Sequence, residues 1–467
     1  MEERTRHAPK RGKAWVVAVS MGYGHQRTAY PLRGLSPDGT VLNANDYEGI
    51  PVKDKEVWAD TSAVYGFLSR FKRVPLAGTA AFALYDRLQK IMSFYPKRDL
   101  SKPTGSLKQI FALIRNGWGS DWVGRLRRTP LPIITTFFMT AFMAEELGYP
   151  DSIFCVTADA DVARDWASLD PAHSRIEYCA STKRVFERLK LYGIPEKNIH
   201  LTGYPLPAEN IGGPSMATLK NDMRLRLANL DPSGKYIREY GPVIRKNFGR
   251  IPHGAGRPLT IMFSVGGAGA QKAIGVDIVK SLRERIRGGT VRVILSAGAG
   301  RGAADDFERE LKALGFAAPF DGREGVEVLW AIGLWDYFAK FNKALRTTDI
   351  LWTKPSELSF YCALGIPIIM APPIGSQEDF NCEWLLEVGA AMDQYDPRYT
   401  HEWLFDRLSD GWFAEAAMHG FLDAEKMGTY RIEALVRSRN SRGAHPPVSA
   451  GGTPSASARR THAIRGK

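Results

Sequence analysis

TTDILWTKPSELSFYCALGIPIIMAPPIGSQEDFNCEWLLEVGAA, residues 347–391, is the stretch whose reading decides the fold. It opens on a short apolar run, Ile350 to Trp352, followed by the turn-prone Lys354-Pro355-Ser356. A helical segment is expected up to Leu364, with Gly365 where a helix stops. Next come a proline-bounded apolar strand (IPIIMAPP), a polar loop (GSQEDFN) and an amphipathic helix closing on Gly389. Strand, loop, helix, repeated, is the pattern of a parallel sheet whose strand ends carry ligand-binding loops. The loop packs Gln377, Glu378, Asp379 and Asn381 just past a buried strand. Two readings stand side by side there: hydrogen bonding to a hydroxyl-rich ligand, or helix capping by Ser376 or Asp379.

The same pattern extends in both directions. AWVVAVS (14–20) reads as a buried strand running into a glycine turn and a helix. VLNAND, LPIITTFF, SIFCVTAD, RIEYCAS and NIHLTGYPL supply further strands, the last ending near residue 206. Residues 207–257, rich in Gly, Pro and charge, read as a connection enlarged by an insertion. PLTIMFSVGGAGAQ then restarts strand, glycine loop and helix. The predicted architecture is therefore α/β, with two Rossmann-like domains at 14–206 and 258–400 facing across a cleft. Helices over 401–437 are expected to pack back, the last onto the first domain. Residues 438–467 have almost no large apolar side chains and are expected to be disordered.

A chain of 467 residues with 44% hydrophobic and 24% charged residues has room for two or three ordinary globular cores. Nothing approaches the ~18 apolar residues of a membrane span, and the charged N-terminus does not read as a secretory signal. Cys155, Cys179, Cys362 and Cys382 are far apart, which reads as free thiols in a reducing cytoplasm. The net charge of +13 is localised. Seven basic and no acidic residues lie from Arg437 onward, and the first thirteen residues hold five basic against two acidic. The span 70–128, bounded by Arg70 and Arg128, holds thirteen basic against three acidic. Such a distribution does not make a nucleic-acid surface.

Four places could carry chemistry. Gly22-Tyr23-Gly24-His25 puts glycines and a histidine at a helix start, where a ligand can approach the backbone and a histidine can act as a base. A structural histidine is the plainer alternative. Ser264-Val265-Gly266-Gly267-Ala268-Gly269 follows a strand and opens a helix, a context that cradles a diphosphate or simply packs tightly. Asp159-Ala160-Asp161 has the spacing of a metal-bridging pair, though that arrangement suits single-domain enzymes better than a double fold. The basic, aromatic span 70–128 fits either an anionic membrane face or a solvated helix face with its aromatics turned inward.

Thr353, Lys354, Pro355, Gly365, Ile366, Pro367, Gln377, Glu378, Asn381, Gly389 and Ala390 fall in order on the pattern T-K-P/A-G, G-L-P, P-G-Q-E-x-x-N, G-A. That pattern resembles the two-domain (GT-B type) glycosyltransferases that include galactolipid synthases, processive diacylglycerol glucosyltransferases and the lipid II N-acetylglucosaminyl transferase. The resemblance spans roughly residues 16–391. Ser356 and Glu357 stand where the family usually has glycines, and Phe360 stands where it has a ribose-holding glutamate. The resemblance implies hexosyl transfer from a nucleotide diphosphate sugar, UDP-linked, to a hydroxyl, with inversion. On it, His25 and Asp159 are catalytic candidates, and Gly22 and Gly24 form the acceptor loop. Ser264, Gly266, Gly267, Ala268 and Gly269, with Lys354, Ser356, Glu357, Gln377, Glu378 and Asn381, form the donor side. It further implies a lipid or other hydroxyl acceptor, no metal and no other cofactor, and a peripheral position at the inner face of the plasma membrane. Rivals on the same fold are a nucleotide-sugar 2-epimerase or hydrolase, and a non-catalytic nucleotide-sugar binder.

Overall fold

The structure, a computed structural model, describes residues 13–59, 91–264, 271–373 and 376–442. The glycine-loop candidates Gly266, Gly267, Ala268 and Gly269 lie outside the described residues, as do residues 70–90 of the basic span.

Among the described residues, twelve strands form two parallel six-stranded sheets. β1 (Trp15–Ala18), β2 (Leu42–Asn43), β3 (Ile133–Thr135), β4 (Ile153–Val156), β5 (Glu177–Ala180) and β6 (Ile199–Leu201) make the first, in the order β2-β1-β3-β4-β5-β6. β7 (Leu259–Ser264), β8 (Val291–Ala299), β9 (Val326–Ala331), β10 (Ile350–Thr353), β11 (Ile368–Met370) and β12 (Ala391–Asp393) make the second, in the order β12-β11-β10-β7-β8-β9. The expected α/β class with two doubly wound sheets is what the chain adopts. Its central strands are apolar on both faces because helices cover both sides; β3, β4, β7 and β10 are buried at every position.

Strand order fixes where a ligand can bind. In the second sheet the order reverses between β7 and β10; in the first it reverses between β1 and β3. Crevices open at the carboxyl ends of strands flanking such reversals. The two crevices face each other, and the bodies meet through one apolar cluster that joins Tyr30, Tyr204 and Leu206 to the second sheet.

Three expectations need correcting. The segment GSQEDFN is not a loop: a helix, Ser376–Val388, begins at its second residue, so Gln377, Glu378 and Asn381 stand on its first two turns. Acidic residues there complement the positive end of the helix dipole. Residues 438–442 are not disordered, because the last helix, Gly428–Arg442, continues through them. Ile432 and Val436 bury against the first sheet, and Arg439 Nη2 donates to Glu177 at 2.7 Å. Composition registered the scarcity of apolar groups but not this acceptor. The helical segment expected up to Leu364 is present, as a 3-10 helix, Glu357–Leu364, closed by Gly365 at φ +65°, where a Cβ would collide with Met223 Sδ. Only Gly428–Arg442 returns to the first sheet; the helices Thr400–Ser409 and Trp412–Asp423 join the core of the second.

Cys155, Cys179 and Cys362 are buried free thiols and Cys382 is half-buried. Among the described residues no helix is long and apolar enough to cross a membrane.

Candidate functional site

A cleft of about 350 Å³ lies between the two sheets. From the first body it is lined by Gly22, Tyr23, Gly24, His25, Arg27 and Asp159, and from the second by Ser264, Lys354, Ser356, Glu357, Gln377, Glu378 and Asn381. The described candidates of the glycine–histidine turn, Asp159 and the donor side are therefore brought to one place, whereas Asp161 is not. Gln377 and Glu378 each reach it beside Asn381, because residues four and three apart on the first turns of a helix share a face. Asp379 does not line it.

His25 sits just inside the helix Tyr23–Ala29, after Gly22, whose φ of +91° suits a residue without a Cβ. Its Nδ1 lies 2.8 Å from the carbonyl oxygen of Thr136, at the end of β3. A carbonyl can only accept, so Nδ1 carries the proton and Nε2 is left as the acceptor. Thr136 Oγ1 donates back to the His25 carbonyl at 2.9 Å, and Phe137 packs edge-on against the imidazole. Burial pulls the His25 pKa down to about 4, against the raising effects of the Thr136 hydrogen bond and the Glu357 charge. The imidazole is a free base at neutral pH.

Asp159 follows β4 and is pushed the other way. Burial first, then the charges of Glu357 and Glu378, raise its pKa to about 6, opposed by the Asn381 hydrogen bond and Lys354. Two titratable groups whose environments drive them apart are the mark of an acid–base site. Asp161, two residues on, does not join Asp159. Arg188 Nε and Nη2 hold its carboxylate at 2.9 and 2.7 Å, turned into the core. The D-x-D pair thus does not converge, and among the described residues no group of His, Cys, Asp and Glu is arranged to hold a metal ion.

On the opposite wall, Lys354 Nζ pairs with Glu378. Glu357 Oε1 accepts from Arg27 Nε at 3.2 Å, while its Oε2 lies 3.5 Å from where a Gly24 Cβ would stand. Phe360 is buried and stacks on Tyr204 at 4.6 Å, so its ring belongs to the packing between the bodies rather than to the cleft.

Three participants were missed in the sequence. Arg27, 2% exposed, lies over Phe338 and Phe341 of the helix Leu334–Leu345. The Tyr23 hydroxyl accepts from Ala299 N at 2.9 Å, at the end of β8. Thr136 orients His25. Tyr23 and Arg27 are spaced i, i+4, so one helix face carries both into the second body; that spacing was the available signal. Thr136 had none, because its role belongs to a main-chain carbonyl.

The basic span resolves differently. Phe111, Trp118 and Trp122 turn into the core. Arg125 is engaged by Asp121 and by the carbonyls of Glu48 and Gly49, and Arg127 by the carbonyl of Leu147. Lys97 and Arg115 are exposed but paired with Glu187 and Glu146, which leaves Lys102, Lys108 and Arg128 outward among the described residues, with Met92, Tyr95 and Leu113 exposed nearby in the sequence.

Comparison with known proteins gives the following. A family model described as a domain of unknown function (DUF6938) matches residues 245–431. Among curated proteins none matches the sequence. Among solved structures, MurG of Acinetobacter baumannii is similar at 12% identity over 91% of this chain and 99% of its own, with a TM-score of 0.46. The UDP-GlcNAc 2-epimerase of Neisseria meningitidis, bound to UDP-GlcNAc, is similar at 11% identity over 91% and 100%, with a TM-score of 0.43. HepE of Anabaena, in complex with UDP, is similar at 13% identity over 72% and 84%, with a TM-score of 0.39.

Proposed function

We propose that the chain is a glycosyltransferase that moves a hexosyl group from a nucleotide diphosphate sugar, UDP-linked, to a hydroxyl acceptor with inversion. The observation that carries this reading is the orientation of His25. Its proton is committed to the Thr136 carbonyl, its other nitrogen is a neutral base, and it shares a cleft with hydrogen-bonding groups of a second body. A base on one wall and a donor held on the other is the geometry that direct displacement requires. Gln377 and Glu378 orient the sugar, Lys354 and Ser264 face the diphosphate, and Gly22 and Gly24 leave room for the acceptor. No resident metal or other cofactor enters the proposal; helix-terminal N–H groups and Lys354 offset the leaving charge.

A second reading is favoured by one observation. Asp159, Glu357 and Glu378 bring three carboxylates into the cleft, which is the acid–base equipment a nucleotide-sugar epimerase or hydrolase needs. Incubating the protein with a panel of UDP-sugars, with and without hydroxyl acceptors, separates the readings. Transferred sugar supports the first, and epimerised or acceptor-independent hydrolysed donor supports the second. Binding without turnover would leave only a nucleotide-sugar-binding protein.

The pH profile carries an independent prediction. Turnover is expected to rise as pH increases through about 4, where His25 loses its proton, with a second inflection near 6 from Asp159. Under the transferase reading activity rises again at the second inflection, and under the acid-requiring reading it falls. Asp159→Asn should erase the inflection near 6 and keep the lower one. A lone inflection near 6.5, the value of an unperturbed histidine, would contradict the burial of His25.

The acceptor is proposed to be a lipid, reached at the inner face of the plasma membrane through the outward cations. Lys102→Glu with Lys108→Glu and Arg128→Glu is expected to weaken binding to phosphatidylserine vesicles, by about 1 kcal/mol for each cation lost. Salt should weaken the wild type in the same way. Equal sedimentation of both proteins with vesicles would count against a membrane role.

A further inference from the structure

Asn381 is 1% exposed, and both ends of its amide are used across the cleft. Its Oδ1 accepts from the main-chain N–H of Ala160 at 2.8 Å, and its Nδ2 donates to Asp159 Oδ1 at 3.2 Å. An N–H can only donate, so Ala160 fixes which way the amide points and commits Nδ2 to the carboxylate. The turn it grips is held from beneath as well: Ser181 Oγ donates to the Asp159 carbonyl at 2.6 Å and Thr182 Oγ1 to the Ala160 carbonyl at 2.8 Å. Gln377 and Glu378 stand on the preceding turn of the same helix, Ser376–Val388.

We propose that Asn381 is a positioning residue: it orients the Asp159 carboxylate from the opposite body, so that closure of the second body onto the first is what sets the acid–base group. The resemblance placed Asn381 on the donor side; the two hydrogen bonds of its amide run instead to the Asp159–Ala160 turn of the first body. It rests on the reading of Asp159 as an acid–base group of the cleft. The groups facing Asp159 are Glu357, Glu378 and Lys354 from the second body, and His25 and Arg27 line the same cleft from the first. Of the second-body groups only Asn381 touches the carboxylate through a described hydrogen bond.

The isosteric Asn381→Asp gives a clean test. It keeps an oxygen for Ala160 N–H but turns the donor facing Asp159 into a like charge, which disfavours ionisation. Asn381→Ala removes both contacts. The readout is melting temperature against pH, each variant being compared with the same variant carrying Asp159→Asn. The folded pKa of Asp159 is raised above its unfolded value, so its stabilising contribution is present below about 4 and lost as pH rises through about 6. The pH at which that difference disappears is expected to move up by about one unit in Asn381→Ala and further in Asn381→Asp. An Asn381 that merely ties the bodies together predicts the wild-type position for Asn381→Ala, which removes the hydrogen bond without adding a charge, and that result overturns the proposal. Turnover of UDP-sugars by Asp159→Asn keeps the two failures apart. Wild-type turnover removes the acid–base reading and the positioning role with it. Lost turnover with an unmoved midpoint removes Asn381 alone.

Discussion

His25→Ala is expected to lower turnover by ~10²–10⁴-fold, the usual contribution of a positioned general base, with donor affinity almost unchanged. The proposed base is on the first body and the proposed donor groups are on the second, so removing one should not disturb the other. The histidine also contributes to the packing of the first body, since its Nδ1–H satisfies the Thr136 carbonyl and its ring packs on Phe137. Alanine leaves that carbonyl unpartnered, at a cost of about 1 kcal/mol, and a stability loss alone could imitate a modest kinetic defect. His25→Asn separates the two. Its side-chain amide can donate to Thr136 as Nδ1 does, but it has no basic nitrogen at the Nε2 position. If His25 is the base, asparagine restores the melting temperature and not the turnover. If it only packs beneath the glycine turn, asparagine restores both. Loss of donor binding at unchanged stability would mean that the Gly22–Gly24 turn holds the diphosphate, and the two walls of the cleft would exchange roles. Glu357 bears on the same question, because its charge favours the imidazolium that forms when the proton is taken. Near-wild-type turnover in both variants would end the assignment.

How much of this was legible in the sequence follows from what kind of interaction each feature depends on. The parallel sheets were readable because buried strands such as β7 and β10 leave continuous apolar runs, and glycines such as Gly365 and Gly389 punctuate the helices between them. The cleft residues were readable one wall at a time, since His25, Lys354, Gln377 and Glu378 each follow a strand end. What the sequence did not show was pairing across the cleft. Arg27 with Glu357, Tyr23 with Ala299, and Asn381 with Asp159 join residues 222 to 330 positions apart, and nothing local marks a partner at that distance. The start of the helix at Ser376 was missed for a local reason: Gly375 and a run of polar side chains imitate a loop, while the helix is stabilised by its dipole and by burial of Leu385. Of the two readings left open for the basic span, the inward turn of the aromatics holds for Phe111, Trp118 and Trp122, because phase along a short amphipathic segment is settled only by what packs on it.

Asp161→Ala is expected to be the most destabilising single change near the site, at ~3–5 kcal/mol, the range for removing one partner of a buried ion pair. Arg188 and Asp161 have side chains 1% and 2% exposed. The guanidinium is held on three sides, by both carboxylate oxygens of Asp161 and by the Met92 carbonyl at 2.8 Å, with Phe94 at 5.0 Å from its centre. Without the carboxylate a positive charge stays in a place water does not reach, and Coulomb attraction no longer offsets its desolvation. At roughly 2–4 °C per kcal/mol for a body of this size, the melting temperature should fall on the order of 10 °C. Restoring the volume without the charge, as in Asp161→Asn, should recover only part of this, because an amide cannot neutralise the guanidinium. Replacing both partners together, Asp161→Leu with Arg188→Met, should recover more than either single change, since two apolar side chains leave no charge to desolvate. Asp159→Asn should behave in the opposite way, keeping stability and changing the pH profile. The contrast decides what the D-x-D spacing means. If Asp161→Ala instead melts like the wild type and makes turnover depend on added Mg²⁺ or Mn²⁺, the two aspartates act together on a metal, and the Arg188 pairing describes only a resting arrangement.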